Sequence, residues 1–340
     1  MGLALLGGLL LAFLVGYNAW MSRRNTPRQP EPASAATVPL DGEPDPDGRI
    51  DPVFDTEPGP PIPALEKKPS LDALIDAITP IAVDGPVSGD AALAAMPPTR
   101  RAGSKPFAIE GFHEATQSWE MPRAGERYSA FQAGVQLANR TGALNEIEFS
   151  EFVVKVQAFA DTINGSVEFP EMLDEVARGR ELDQFASGHD AQLGFTLRAR
   201  NAAWSPGYVQ QNAGRLGFVA GAIPGRMVLP ASTPGAPPIL SLSFDTQAAM
   251  AEDPTQSALR ELTLSLDVPQ VHRHEQPFMR MRDAAIALAA AMDGLITDDD
   301  GQVIRPEGLD VIGAHLEALY DTLDARDLAA GSPQARRLFS

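Results

Sequence analysis

The sequence predicts an α+β protein with an N-terminal transmembrane helix, a disordered linker and two tandem split β-α-β domains. Three observations support this fold class. The first 22 residues carry no charged side chain. Residues 260–323 show, in order, the patterns of a strand, a helix, a hairpin and a second helix. Similar apolar spacing occurs earlier in the chain, which indicates a duplicated domain. In each domain we expect two helices to pack on one face of an antiparallel or mixed sheet.

Residues 260–323 contain the clearest periodicity of the chain. Residues 261–268 alternate apolar and polar side chains, which is typical of a strand with one buried face. Apolar residues then recur at helical spacing, and Gly294 is expected to end that helix. A hairpin turn is predicted around Gly301, because glycine adopts positive φ readily. Pro306 fits the first turn of the last helix, since the N–H that proline lacks has no helical partner there.

The same stretch resembles a known protein family. The residues that carry the likeness are Val268, Pro269, Phe278, Met281, Ala285, Ala289, Gly294, Asp298, Asp299, Pro306 and Leu309. In identity and spacing they resemble the end of the C-terminal domain of the ZipA family, bacterial division proteins that bind the tail peptide of the tubulin-like protein FtsZ. The likeness extends more weakly back to residue 191. It implies a division protein that tethers FtsZ filaments to the inner membrane, with no enzymatic step.

The composition narrows the functional classes. The formal net charge of −18 argues against a nucleic-acid partner, because phosphate binding needs clustered Lys and Arg. The chain has no cysteine, which excludes disulfides, thiolate metal sites and cysteine nucleophiles. No catalytic motif is present, so the sequence predicts no catalytic residue, no cofactor, no metal site and no small-molecule substrate. His272 and His274 are explained by a solvated turn more simply than by a metal site.

Residues 1–22 are predicted to be a membrane anchor. An apolar run of about 20 residues is long enough to cross a bilayer as a helix, and the run from Leu3 to Trp20 should contact the lipid. Tyr17 and Trp20, near the C-terminal end of the run, are typical of interfacial anchors. Three arginines follow the run, at positions 23, 24 and 28. The positive-inside rule therefore predicts a single-pass inner-membrane protein whose C-terminal domains are cytoplasmic.

The alternative is a cleaved signal peptide, which would make the chain a periplasmic protein and leave open an enzymatic role. Three features argue against it: no Lys or Arg precedes the apolar run, no small-x-small cleavage site follows it, and Tyr17 and Trp20 are typical of interfacial anchors. A further alternative keeps the anchor and the fold but changes the partner, so that the chain is an anchored division or envelope scaffold.

Domain boundaries follow from composition and from the repeat. Residues 23–70 are rich in proline and acidic residues and lack periodicity, which predicts a disordered linker. The first ZipA-like repeat is placed at 72–188 and the ZipA C-terminal-like domain at 189–327. Residues 328–340 are predicted to be a flexible tail, and no pattern assigns a role to its residues 336–339.

The repeat is supported by matched positions in the two predicted domains. Phe149 and Gly165 precede Phe278 and Gly294 by the same number of residues. The earlier strands agree more loosely: 107–112 and 117–121 are expected to correspond to 226–229 and 239–244. One larger domain whose helices share amphipathic spacing is the alternative.

The partner-binding prediction rests on the family resemblance. In the ZipA family an apolar cavity on the uncovered sheet face takes the FtsZ tail, and the family's large Phe corresponds here to Ser265. The predicted site residues are Thr196, Ser241, Ser243, Asp245, Thr263 and Ser265. By the constant offset, Thr263 and Ser265 correspond to Gly134 and Gln136 of the first repeat. Both faces are therefore expected to be open and polar, so the peptide binds elsewhere, the faces serve another contact, or the ligand differs.

Overall fold

A computed structural model describes residues 27–31, 71–253, 256–298 and 300–340. The predicted anchor at 1–22 and most of the predicted linker at 23–70 lie outside the described residues. None of the described helices is both long enough and apolar enough to cross a membrane. The described chain is a mixed α+β protein with antiparallel sheets, as the sequence predicts.

The chain divides into two compact units. The first unit contains residues 71–192, 267–274 and 311–340, and the second unit contains residues 27–31, 193–266 and 275–310. The change of unit after residue 192 lies close to the predicted boundary between 188 and 189. The first unit also takes up two later segments of the chain, which the sequence pattern assigned to the second domain.

The elements from residue 71 to residue 192 are nine strands and three α-helices. The strands are β1 (Asp76–Val83), β2 (Val87–Ser88), β3 (Arg101–Ala102), β4 (Lys105–His113), β5 (Ser118–Glu120), β6 (Arg127–Gln136), β7 (Ala138–Asn139), β8 (Gly142–Ala143) and β9 (Gly165–Val167). The helices are α1 (Gly89–Ala95), α2 (Glu146–Thr162) and α3 (Met172–His189).

The later elements are six strands, five α-helices and two short 3₁₀ turns. The strands are β10 (Gln192–Ala199), β11 (Val219–Ala220), β12 (Arg226–Leu229), β13 (Leu240–Ser243), β14 (Glu261–Asp267) and β15 (Gly294–Thr297). The helices are α4 (Pro206–Gly214), α5 (Thr246–Ala249), α6 (Pro277–Met292), α7 (Pro306–Asp324) and α8 (Pro333–Leu338). The 3₁₀ turns are Val268–Gln270 and Arg273–Glu275.

The core of the first unit forms between its sheet and α2. Asn145 caps α2 and forms a capping box with Glu148, so two N–H groups at the helix start have partners. Phe152 and Phe159 on α2 are fully buried. The Phe152 ring lies 5.9 Å from the Phe107 ring of β4 in an edge-to-face arrangement. This packing is the buried apolar face that the helical spacing predicts.

The second unit confirms the burial expected for β14 and α6 and the turn expected at Gly301. Leu262, Leu264 and Leu266 are buried on β14, whereas Thr263 and Ser265 between them are only partly buried. The predicted apolar face of α6 is buried: Phe278, Met281, Ala285, Leu288 and Met292. Gly301 has the expected positive φ, 79°, in a turn closed by a 2.9 Å bond from Asp298 N to Gln302 O.

Both units contain four strands in the same order. The order is β4-β6-β1-β9 in the first sheet and β13-β14-β10-β15 in the second. In each order, the last strand begins at a glycine that follows a helix. Gly165 follows α2 and pairs with Val83, and Gly294 follows α6 and pairs with Ala199. This shared order is what a duplicated domain predicts.

The expected correspondence between the earlier strands is wrong in one respect. Strand β5, in the predicted segment 117–121, does not lie beside β6. Strand β4 takes that position, and β5 pairs with the end of β4 through Gly111 and Glu120. The reason is that β4 pairs with β6 from Phe107 to His113, which leaves no free edge of β6 for β5 along that length.

The predicted flexible tail at 328–340 is also wrong. It contains α8, which begins after Ser332, whose side chain accepts a bond from Ala335 N at 3.1 Å. Leu338 and Phe339 are buried. A helix of six residues is too short to be stable alone. Its order therefore comes from tertiary packing, which apolar periodicity in so short a segment does not reveal.

Candidate functional site

The predicted site residues on the second sheet lie together on one face. Ser241 is directly opposite Ser265, and Ser243 is directly opposite Thr263. Thr196 of β10 pairs with Thr297 of β15. All of these side chains point away from the buried leucines, because successive residues of a strand face opposite sides. We call Thr196, Ser241, Ser243, Thr263 and Ser265 the hydroxyl face.

Thr196 continues the rows of hydroxyls across β10. The hydrogen bonds Ala199 N to Arg260 O, 2.8 Å, and Val268 N to Ala191 O, 3.0 Å, fix the antiparallel register of β10 and β14. In that register Thr196 lies opposite Thr263. Ser243, Thr263, Thr196 and Thr297 therefore form one hydroxyl row across four adjacent strands.

The hydroxyl face is hydrogen-bonded at several points. Ser265 Oγ donates to Ser241 O at 3.3 Å, and Thr297 Oγ1 donates to Thr196 O at 3.2 Å. At the rim, Arg226 Nη2 donates to Ser241 Oγ at 3.1 Å. A hydroxyl group both donates and accepts, so the face can satisfy peptide N–H and C=O groups at once. It offers little apolar area for a hydrophobic side chain.

Asp245 does not lie on the hydroxyl face. It follows the end of β13, is exposed, and caps the short helix α5 by accepting a bond from Gln247 N at 2.8 Å. Phe244 N still bonds Gly225 O at 2.9 Å, and the helix capped by Asp245 begins directly after it. The family resemblance placed Asp245 beside the serines, and the cap explains why it lies elsewhere.

A cavity at one end of the face nevertheless brings Asp245 close to two of the predicted residues. Its volume is about 460 Å³. It is lined by Ser243, Phe244, Asp245, Ala258, Leu259, Arg260, Glu261, Leu262 and Thr263. The lining therefore combines hydroxyls with both signs of charge. Such a cavity is suited to a polar or charged group at the end of an extended peptide.

The corresponding face of the first sheet is not open, contrary to the prediction. Gln136 is buried, and its amide nitrogen donates to Arg337 O at 2.7 Å. A Cβ placed on Gly134 would lie 2.6 Å from the Leu71 side chain. The face is covered by Leu71 and by the segment of α8. Only the second sheet therefore keeps a face on which the predicted residues remain partly exposed.

The structure contains a buried lysine that sequence analysis missed. Lys105 is almost fully buried, and its Nζ donates to Ser104 Oγ, Asn139 Oδ1 and Thr141 Oγ1 at 2.9, 2.9 and 3.2 Å. Burial lowers the pKa of the Lys105 ammonium below its ordinary value, and the nearby Glu148 carboxylate opposes this effect. Lysine is usually exposed, so its position in a strand gave no signal of burial. Three oxygen partners satisfy the ammonium, which makes it a structural group.

Nothing in the described residues forms a metal centre. They contain no cluster of three or more His, Asp or Glu side chains that could hold a metal ion. The rings of His272 and His274 lie 5.0 Å apart in a tilted arrangement. Two imidazoles are too few for a structural zinc site, which needs four ligands.

The fold and the face define a mixed α+β protein with antiparallel sheets, one of which presents a row of hydroxyls. No known family model matches the sequence, and no curated protein matches it.

Proposed function

We propose that this chain is a membrane-anchored cell-division protein that resembles the ZipA family and tethers FtsZ filaments to the inner membrane. In this proposal residues 1–22 are the anchor, the domains are cytoplasmic, and the hydroxyl face receives the FtsZ tail peptide. The protein acts by binding, without a catalytic step, a cofactor or a metal. The observation that supports the site is the hydroxyl row across four strands beside the 460 Å³ cavity.

The chemistry of the face predicts a weak contact. Burying apolar surface stabilises a complex by about 25 cal/mol per Å². A face of Ser241, Ser243, Thr263 and Ser265 supplies little such surface. It supplies hydrogen bonds instead, each of which contributes about 1 kcal/mol net.

A weak contact is sufficient for a tether. Many copies of an anchored protein meet many tails along one filament, and each bound pair raises the effective concentration of the next. Avidity can then exceed the affinity of a single contact by roughly 10²- to 10⁴-fold without a new interaction. The mechanism therefore requires a binding face and an anchor, and it does not require a deep apolar pocket.

A second candidate is an anchored division or envelope scaffold with a different partner. The observation that favours it is the polarity of the face, with Arg226 bonded to Ser241 at the rim, where the ZipA family has an apolar cavity. A partner peptide with several acidic or amide side chains would fit hydroxyls and a guanidinium better than an apolar peptide would.

The test is binding of a labelled FtsZ tail peptide to the full chain in lipid nanodiscs, followed by fluorescence anisotropy. The double variant Ser243→Glu/Ser265→Glu should abolish binding, because it adds bulk and charge to the face. Ser166→Glu, an exposed serine on β9, is the matched control and should bind like the unchanged protein.

Three outcomes separate the candidates. Binding that is lost only in the double variant supports the FtsZ-tail proposal. Binding that survives in the folded double variant contradicts the hydroxyl face as the site. No binding by the unchanged protein, together with a concentration at midcell that is lost in the double variant, favours the scaffold with another partner.

A further inference from the structure

Residues 27–31, which belong to the predicted linker, form an ordered strap across the second unit. Arg28 N donates to Ala203 O at 2.7 Å, and Ser205 N donates to Arg28 O at 3.0 Å. The residue between these two partners is Trp204, which is fully buried. The strap is therefore attached through its backbone to a rigid part of the unit.

Charged and amide side chains hold both ends of the strap. The guanidinium of Arg28 pairs with Asp293 at 3.1 Å, beyond the end of α6. At the other end the Glu31 carboxylate pairs with Arg215 at 2.8 Å. Gln211 bonds the Glu31 backbone twice, accepting from N at 2.9 Å and donating to O at 2.8 Å. The strap thus runs from the end of α6 to the end of α4.

The strap shortens the distance between the second unit and the predicted membrane anchor. Arg28 follows Ser22, the last residue of that anchor, by six residues. An extended chain of six residues spans at most about 20 Å. Where residues 1–22 cross the bilayer, the second unit is therefore held beside the lipid surface, and residues 32–70 do not separate it from the membrane.

An exposed apolar hairpin lies next to the end of the strap. No residue between Arg215 and Arg226 is charged. Within this stretch Val219 and Ile223 are 50% and 53% exposed. The two arginines that bound the stretch are themselves exposed. We call residues 219–224 the apolar hairpin. They comprise β11 and most of the turn that leads from it to β12.

We propose that the apolar hairpin and its two flanking arginines form a surface that lies on the lipid bilayer. Val219 and Ile223 would enter the interfacial region, while Arg215 and Arg226 would lie at the level of anionic headgroups. This inference rests on the anchor of the proposed function but not on FtsZ binding.

The charges beside the hairpin and its short distance from the predicted anchor favour lipid as the binding partner of this surface. The chain as a whole carries a net charge of −18, yet the charged residues that flank the hairpin in sequence are both basic, and of these Arg215 pairs with Glu31. Apolar side chains bordered by arginines are the composition of interfacial membrane contacts. Arg215 holds the end of the strap at Glu31, and the chain from Arg28 to Glu31 spans at most about 10 Å, so the hairpin stays close to the point where the strap leaves the anchor. Because the anchor supplies the affinity, the hairpin has only to set orientation.

The absence of cysteine in the chain makes a direct test possible. The variant Ile223→Cys in the full chain is labelled with a polarity-sensitive dye and reconstituted in vesicles that contain phosphatidylglycerol. Val303→Cys is the matched control, since Val303 is 56% exposed and pairs with β15, at the opposite edge of the sheet from β11. The two edges of a six-stranded sheet are separated by about 24 Å.

We expect a blue shift of emission at position 223 and loss of most of that emission with lipids that carry a quencher near the headgroup. Position 303 should show neither effect. Releasing the strap with Arg28→Ala/Glu31→Ala should reduce the quenching at position 223, while flotation with the vesicles is unchanged.

The outcomes distinguish this inference from the anchor itself. If the protein fails to float with vesicles, the anchor is contradicted, and this inference with it. If the protein floats but position 223 is quenched no more than position 303, the anchor stands and the bilayer contact is contradicted. A blue shift at position 223 without lipid quenching indicates a protein contact, such as a second copy, and also overturns the inference.

Discussion

Asn164 and Asp293 follow the ends of α2 and α6 and share the same left-handed backbone conformation. Their φ values are 54° and 56°. Each is followed directly by a glycine that begins an antiparallel strand, β9 after Asn164 and β15 after Asp293. Left-handed conformations are uncommon outside glycine, so their recurrence at matched positions supports a duplicated design. The sequence placed the helix end at Gly294, one residue after the residue that takes the strained conformation.

Substitution by glycine should change the free energy of unfolding differently at Asn164 and at Asp293. A side chain in the left-handed region costs about 1 kcal/mol, which glycine avoids. Asn164→Gly should therefore leave the free energy of unfolding unchanged or raise it by up to about 1 kcal/mol. Asp293→Gly should lower it, because the Asp293 carboxylate accepts bonds from Arg28 at 3.1 Å and Asn201 at 3.0 Å. Urea denaturation of both variants checks this, and equal effects at the two positions would contradict it.

Arg337 should contribute strongly to the stability of the first unit. Its guanidinium pairs with the Asp76 carboxylate in a bidentate arrangement, with one N–O distance of 2.8 Å. The Asp76 side chain is 0% exposed and that of Arg337 is 19% exposed. Removing one partner leaves a buried charge unpaired, so Arg337→Ala should lower the free energy of unfolding by about 3 kcal/mol.

The matched control is Arg180→Ala, at an exposed position of α3. Its effect should stay within about 0.5 kcal/mol. Hydrogen exchange adds a second measurement: amides of α8 should lose protection in Arg337→Ala. A tail that exchanges freely in the unchanged protein would contradict the packed α8.

Periodicity predicted those elements whose burial is set by their own sequence. The alternation of Leu262, Leu264 and Leu266 matches the buried face of β14, and the apolar spacing of α6 matches its buried side. Hydrophobic burial is the dominant favourable term in folding, so a long amphipathic pattern identifies its own buried side. The face that carries Ser243 and Ser265 followed from the same alternation.

Features that depend on contacts between distant residues were not predicted. The strap and α8 are short, and each is ordered by partners that lie far away in sequence, such as Asp293 for Arg28 and Asp76 for Arg337. The pattern of apolar and polar residues within a short segment carries no information about such partners. The burial of Lys105, whose partner Asn139 lies 34 residues along the chain, is of the same kind.

Lys105 should make stability depend on pH in the alkaline range. Burial lowers the pKa of its ammonium below 10.5, the ordinary value. Between the lowered pKa and 10.5 the unfolded state holds more protons than the folded state, so the free energy of unfolding rises with pH across that window. Lys105→Met lacks this titration. The stability of the unchanged protein minus that of Lys105→Met should therefore increase from neutral pH toward 10.5, as measured by urea denaturation. A constant or falling difference would count against it.

The membrane topology can be tested with reporters fused after Ser340. Three arginines follow the apolar run, so the C-terminal side should be cytoplasmic. A reporter that is active only in the cytoplasm should work, and alkaline phosphatase, which needs the periplasm, should not. The reverse result would favour the exported protein. Moving three arginines ahead of residue 3 is the control, because it should weaken or invert the orientation.

Ser265→Phe should strengthen binding of the FtsZ tail if the hydroxyl face is the site. Ser265 corresponds by resemblance to the family's large Phe, and it stands directly opposite Ser241, where a bound peptide could cover it. Burying a Phe side chain contributes about 1.5–3 kcal/mol, and each 1.4 kcal/mol corresponds to a tenfold change in affinity. The dissociation constant for the labelled tail peptide should therefore fall by about tenfold or more. Ser166→Phe on β9 adds the same side chain away from the face and should leave the affinity unchanged. If both variants bind like the unchanged protein while remaining folded, the tail does not use the hydroxyl face.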